Sequence, residues 1–339
     1  MVVHVERCES GVEQRTPCTL LIRLELIPGL VQSGHTVYAL DFIGHGLSDK
    51  PLTTGRTTVE LHIRTILALF NHYNLINENT TVVAHDWAGT IFMSAAPYLV
   101  PNPNVPALDG KPLGARSPHD HTASSQPPKL LFLNSALPFS PYGISLSAFS
   151  IHALYFLVTG IFGTLLPQSF VIRFLSPLAT TAPILRGYSA QYTSLRSRTS
   201  FVETARTMPF LPTIFYTKIR QHLYWRYLEG LLGPWHFTNI NAQARLAQRS
   251  VEVRRYWRKA AEVGWQVGAV SGHQDPLFRE YEALTEEVLD PNCSVEVKAV
   301  GVKGGWVEGA GRYGVEERMA TFQRAIRSFA QHDRPKQDY

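Results

Sequence analysis

The sequence predicts an α/β fold, a mostly parallel sheet covered by helices on both faces and interrupted by one helical insertion. Three observations carry that expectation. Short apolar runs rich in β-branched residues alternate with stretches of helical periodicity, the pattern of a parallel sheet whose crossovers are helices. The chain has 339 residues, 45% of them hydrophobic and 17% charged, enough to build a large core and against disorder. From about residue 137 to residue 235 the pattern becomes helical, aromatic and proline-broken, as an inserted subdomain would be.

The elements follow in order. His35 to Asp41 is an apolar strand that enters the glycine-punctuated loop Phe42-Ile43-Gly44-His45-Gly46-Leu47-Ser48-Asp49-Lys50-Pro51. Thr57 to Leu75 spaces its apolar residues as a helix does, with Thr58 as N-cap. Thr80-Thr81-Val82-Val83 is a strand, and Thr90-Ile91-Phe92-Met93 opens a helix. Residues 101–128 are rich in Pro, Asn, Gly, Ser and His and read as an exposed loop. Lys129 to Asn134 and Gly264 to Ser271 are further buried strands. Val295 to Val300 reads as the last strand, before a closing helix from about Val315 to Phe329.

Composition narrows the function. Cys8, Cys18 and Cys293 show neither metal-ligand spacing nor a disulfide framework, and no secretory signal is visible, so a cytoplasmic location is expected. His119 and His121 have no partners at ligand spacing, so no metal is expected. The densest basic patch, Arg254 to Lys259, is interleaved with aromatics and reads as a solvated helix face, so nucleic acid is not an expected partner. Ile144 to Leu166 is free of charged residues and approaches bilayer-spanning length. Its serines, glycines and bracketing prolines favour a buried helix, and no membrane partner is expected.

The stretch with chemical content is Ala84-His85-Asp86-Trp87-Ala88-Gly89. It places a carboxylate on a sharp turn between strand and helix, flanked by small residues that such a turn requires. A carboxylate so placed can attack a tetrahedral carbon and form an ester. The plainer reading is that Asp86 caps the following helix.

Four segments in order resemble the haloalkane dehalogenase and epoxide hydrolase branch of the α/β-hydrolases. They are Asp41 to Pro51, His85-Asp86-Trp87-Ala88-Gly89, Gly187-Tyr188-Ser189-Ala190-Gln191-Tyr192, and Gly272-His273-Gln274-Asp275-Pro276. The resemblance runs from about Thr16 to Phe329. It implies an α/β-hydrolase fold with a helical cap and truncated N-terminal strands. The core would be residues 1–136 and 236–333, the cap 137–235 and the tail 334–339.

The resemblance also assigns roles. Asp86 would be the nucleophile, the Trp87 backbone N–H one half of the oxyanion hole, and the Trp87 indole a donor to a departing halide. Asp275 would orient the base; in some relatives the acid follows the strand after the elbow helix, where this chain has Asn134. Phe174, Tyr188 and Tyr192 would line the substrate or halide site, and Tyr188, Tyr192, Tyr216 and Tyr224 are candidate acids for epoxide opening. For each of these cap aromatics, core packing is the competing assignment. The implied substrate is small and apolar, with no cofactor.

Two departures from the family pattern bear on mechanism. The base histidine falls at Arg312, in Gly309-Ala310-Gly311-Arg312-Tyr313; an alternative alignment through Gly304-Gly305-Trp306 places tryptophan there. Between His273 and His332 the sequence contains no histidine. Arginine stays protonated and cannot take a proton from water. Gln14-Arg15 stand where the family has the His-Gly of its oxyanion loop. The expectation is a dehalogenase-like hydrolase impaired at ester hydrolysis, with an epoxide hydrolase or other hydrolytic tailoring enzyme, or a catalytically dead ligand-binding member, as alternatives.

Overall fold

A computed structural model describes residues 2–7, 21–46, 48–51, 58–104, 126–135, 150, 153–154, 156–175, 189–190, 192–194, 197–199, 202–203, 240–272, 289, 292, 302–303, 306–307 and 319–331. The elements begin with β1 (Val2–Arg7), α1 (Leu21–Gln32), β2 (His35–Ala39), α2 (Val59–His72), β3 (Thr81–His85) and α3 (Trp87–Leu99). They continue with β4 (Lys129–Leu133), a π-helical turn (Phe156–Ile161), α4 (Gln168–Leu175) and α5 (Ile240–Trp257). The last are β5 (Gln266–Gly272), β6 (Val302–Lys303), β7 (Trp306–Val307) and α6 (Met319–Gln331).

Among the described residues the strands form one open seven-stranded sheet in the order β2-β1-β3-β4-β5-β7-β6. β3, β4, β5 and β7 run parallel, with Val83 opposite Leu131 and Leu131 opposite Gly268. β1 is antiparallel to both β2 and β3, so β2 points the same way as β3. β6 is antiparallel to β7 at the edge. The carboxyl ends of β2, β3, β4, β5 and β7 therefore share one edge of the sheet, and in open α/β sheets ligands bind outside that edge.

Every residue of β3 and β4 is buried, as continuous apolar runs covered on both faces must be. α1 packs on α6, and α2 and α5 pack on α3. The helix α2 is capped as its sequence requires, with Leu61 N–H donating to Thr58 Oγ1 at 3.2 Å. It turns Ile63, Ile66, Leu67 and Phe70 into the core.

Around α3 the packing compensates for a proline. Pro97 has no N–H to give to the Met93 carbonyl one helical turn earlier. The Trp257 indole N–H supplies that bond from α5, at 3.1 Å. Tyr256 O–H bonds the Val100 carbonyl at 2.6 Å and itself accepts from the Trp265 indole at 2.7 Å. The buried aromatics Trp257, Trp265, Tyr256 and Phe92 thus anchor the helix behind the sharp turn.

Two expectations change here. The Arg254–Lys259 patch is only partly solvated. Arg255, Arg258 and Lys259 are exposed, but Tyr256 and Trp257 belong to the core and Arg254 is buried. Ile144 to Leu166 is not a buried helix in its described part. A π-helical turn breaks it, and Leu154, Leu157, Phe162 and Leu165 face outward. Among the described residues the strand β1 precedes α1 and runs against its neighbours. The expected strand Val295 to Val300 lies outside the described residues, as does the loop between residues 105 and 125.

Candidate active site

Asp86 occupies the bend between β3 and α3 with φ 56° and ψ −129°, a region that non-glycine residues enter only when their surroundings hold them there. The backbone on both sides is pinned. Asp86 N–H donates to the Leu133 carbonyl at the end of β4 at 3.2 Å. The Asp86 carbonyl accepts from Gly89 N–H at 3.1 Å and from Ser135 Oγ at 2.6 Å. Asp86 holds the N-cap position of α3, but its side chain makes no capping bond to that helix.

The small residues around the bend are there for close approach. Ala84 and Ala88 are fully buried. At Gly89 a Cβ would collide with the Ser135 side chain and approach the Phe132 ring to 2.9 Å. The helix can sit this close to β4 only without a side chain at that position.

The carboxyl edge gathers several of the expected residues. Trp87 opens α3 directly after Asp86, half-buried and packed against the core. Beyond β4 stands Asn134, buried, with φ 42° and its N–H donating to the Val270 carbonyl at 3.0 Å. The loop after β2 folds on itself: His45 N–H donates to Phe42 O, Ser48 Oγ to Asp41 O and Lys50 Nζ to Gly46 O. A Cβ at Gly46 would fall on the Asp41 carboxyl group.

From this loop the half-buried His45 meets Tyr192. Its Nδ1 lies 3.2 Å from the Tyr192 hydroxyl, which places Tyr192 on the loop that follows the carboxyl end of β2. Burial, with nearby positive charge including Lys50, holds the His45 imidazole down at about 4. It is therefore neutral and able to accept the phenol proton. His62 on α2 stacks near both Phe42 and His45, and burial foremost, then the His45 charge, lowers it to about 3.

Phe174 lies on α4, and nothing of its side chain is described. Tyr188, Asp275 and Arg312 lie outside the described residues. In the chain, Asp275 follows the end of β5 by three residues and Arg312 follows the end of β7 by five. Trp306 lies within β7, paired with Ser271, rather than past its end. Among the described residues no cluster of His, Cys, Asp and Glu could hold a metal ion.

A family profile described as the alpha/beta hydrolase fold matches residues 19–107, from just before α1 to just beyond α3. A mutant haloalkane dehalogenase of Agrobacterium tumefaciens superposes with a TM-score of 0.57 at 15% identity, covering 97% of this chain and 93% of that one. The chain has the α/β-hydrolase fold. A loop variant of a Bradyrhizobium elkanii haloalkane dehalogenase is similar at 0.55 and 15% identity, covering 93% of this chain and 86% of that one. A bromoperoxidase of Bacillus anthracis matches at 0.50 and 14% identity, covering 94% and 90%. At such identities the likeness is one of fold.

Sequence reasoning passed over two residues. Ser135, which holds the Asp86 carbonyl, was hidden beside Asn134; its signal is a hydroxyl one residue past a buried strand that neighbours the turn. His45 stands inside the Asp41–Pro51 segment, but its partner is far away in the chain, and no local pattern reveals such a contact.

Proposed function

We propose that this α/β-hydrolase-fold protein cleaves a carbon–halogen bond through Asp86 and stalls at the resulting ester. The supporting observation is a carboxylate held in a strained bend at the sheet's carboxyl edge without capping the helix behind it. In the proposed step a carboxylate oxygen attacks a tetrahedral carbon. A carbon–oxygen ester bond forms as the carbon–halogen bond breaks, and the halide leaves with the bonding pair. The Trp87 indole donates its N–H to the departing halide. In this reading Phe174, Tyr188 and Tyr192 are the residues assigned to a small apolar substrate.

Release needs water to attack the ester carbonyl and give up a proton. Arg312, at the position of the family's base, cannot accept one. Loss of a general base costs about 10²–10⁴ in rate. Epoxide opening is the second reading. It needs a tyrosine O–H aimed at the substrate oxygen, whereas the Tyr192 hydroxyl is in contact with a neutral histidine, so halide displacement is favoured.

Bromide release from a bromoalkane tests the proposal. The unaltered protein is expected to release about one bromide per chain and then stop. Asp86→Asn should release none. Arg312→His should turn over repeatedly if the missing base is the block. Repeated turnover by the unaltered protein contradicts the stalled ester, and no bromide from any folded form leaves the ligand-binding alternative.

A further inference from the structure

The segment between β4 and α5 carries a surface that neither the fold nor the proposed chemistry uses. Among the described residues, five of the six large hydrophobic side chains that are exposed fall between Leu154 and Phe170. They are Leu154, Leu157, Phe162, Leu165 and Phe170, with Leu165 at 76% exposure. Single exposed leucines are ordinary, but a concentration on one stretch marks an interaction surface.

The backbone explains how one stretch faces two ways. The π-helical turn ends where Phe162 N–H bonds Leu157 O, and a tight turn follows, closed by Leu165 and Leu166 N–H on Phe162 O. α4 then starts from Pro167 O, which accepts from Phe170 and Val171. Val158 and Leu166 pack on the core and Val171 is fully buried, while the five exposed side chains project outward. Arg198 holds the turn in place, donating to Thr164 O at 3.3 Å and to Tyr192 O at 3.0 Å. The patch is therefore a presented surface on hydrogen-bonded backbone.

Its charge setting is equally uneven. Between Lys129, which is itself buried in β4, and Glu229 the sequence holds one acid, Glu203, against eight lysines and arginines, a net +7 in a chain whose total is +5. Exposed Arg173 lies on α4 itself, just past the patch. Outward leucines and phenylalanines in an acid-poor, cationic stretch match an anionic bilayer surface, where apolar side chains enter the acyl boundary and cations meet the headgroups. A second copy of the chain fits poorly, because a symmetric contact here would juxtapose two cationic stretches. Among the described residues no helix is long and apolar enough to cross a membrane, so the contact is peripheral.

We propose that the Leu154–Phe170 surface docks this protein onto anionic phospholipid membranes. The full chain is to be floated with vesicles of equimolar phosphatidylglycerol and phosphatidylcholine, and with vesicles of phosphatidylcholine alone. Binding is expected to the anionic vesicles, to weaken in high salt, and to be much weaker without phosphatidylglycerol. The paired variant Leu165→Glu and Phe170→Glu, both side chains being exposed, should bind at least about tenfold more weakly at an unchanged melting temperature. Tyr73→Glu, on an exposed aromatic outside the stretch, should bind as the unaltered protein does. The proposal is overturned by absence of vesicle binding, by equal binding of the paired variant, or by a concentration-dependent dimer that this variant abolishes without any vesicle binding.

Discussion

Asp86 sits in backbone that costs about 1–3 kcal/mol to hold for a non-glycine residue. Its neighbours supply the constraint through the Leu133 carbonyl, the Ser135 hydroxyl and the close approach permitted at Gly89. Gly89→Ala is expected to destabilise the fold by about 1–3 kcal/mol, since the new methyl overpacks against Ser135 and Phe132. Ser135→Ala should cost less, about 1 kcal/mol, because the Asp86 carbonyl keeps its bond from Gly89. Urea unfolding of both variants decides this, and an unaffected Gly89→Ala would remove the argument for close packing at the bend. The bend itself was legible in Ala84 to Gly89, because strand, small residues and helix start are all local signals. Its support from Ser135 was not, since it depends on which strand lies beside β3.

At the scale of elements, α2 and the loop after β2 enclose two histidines that the fold keeps neutral. His62 is buried, with Nδ1 lacking a hydrogen-bond partner, and it faces Phe42 and His45. Both pKa values lie below the unfolded value of 6.5, at about 4 for His45 and about 3 for His62. Below pH 6.5 the unfolded chain therefore binds protons that the native state refuses, and stability falls as pH drops. The loss levels off only as the native pKa values are passed. His62→Leu is expected to be close to neutral at pH 7 and to flatten the decline between pH 6.5 and pH 4, measured by thermal unfolding across that range. An unchanged pH profile would show that His62 does not carry this dependence. The helix α2 and its cap were readable from periodicity and Thr58. The histidine pair was not, because its meaning arises from burial between two elements.

For the whole molecule, the sheet and most of its strands follow from alternating apolar and helical patterns, and β2, β3, β4 and β5 lie close to where the sequence puts them. β1 was not foreseen. Its pattern, Val2 to Arg7, carries no direction, and its place between β2 and β3 is fixed only by long-range pairing. The segment from residue 144 to residue 166 was legible as apolar and uncharged, but not as outward-facing, because a π-helical turn breaks the helical period. The candidate site divides in the same way. Asp86, Trp87 and Tyr192 stand in or beside segments that issue from one sheet edge, and Asp275 and Arg312 are tied to that edge only by their position in the chain.

The central claim is that Asp86 captures carbon and holds it. Intact-mass spectrometry of the protein after exposure to a bromoalkane, followed by peptide mapping, tests this directly. The expected result is a single alkyl adduct on the Asp86 peptide that survives for hours and is absent from Asp86→Asn. An unmodified chain, or an adduct that maps elsewhere, contradicts the account.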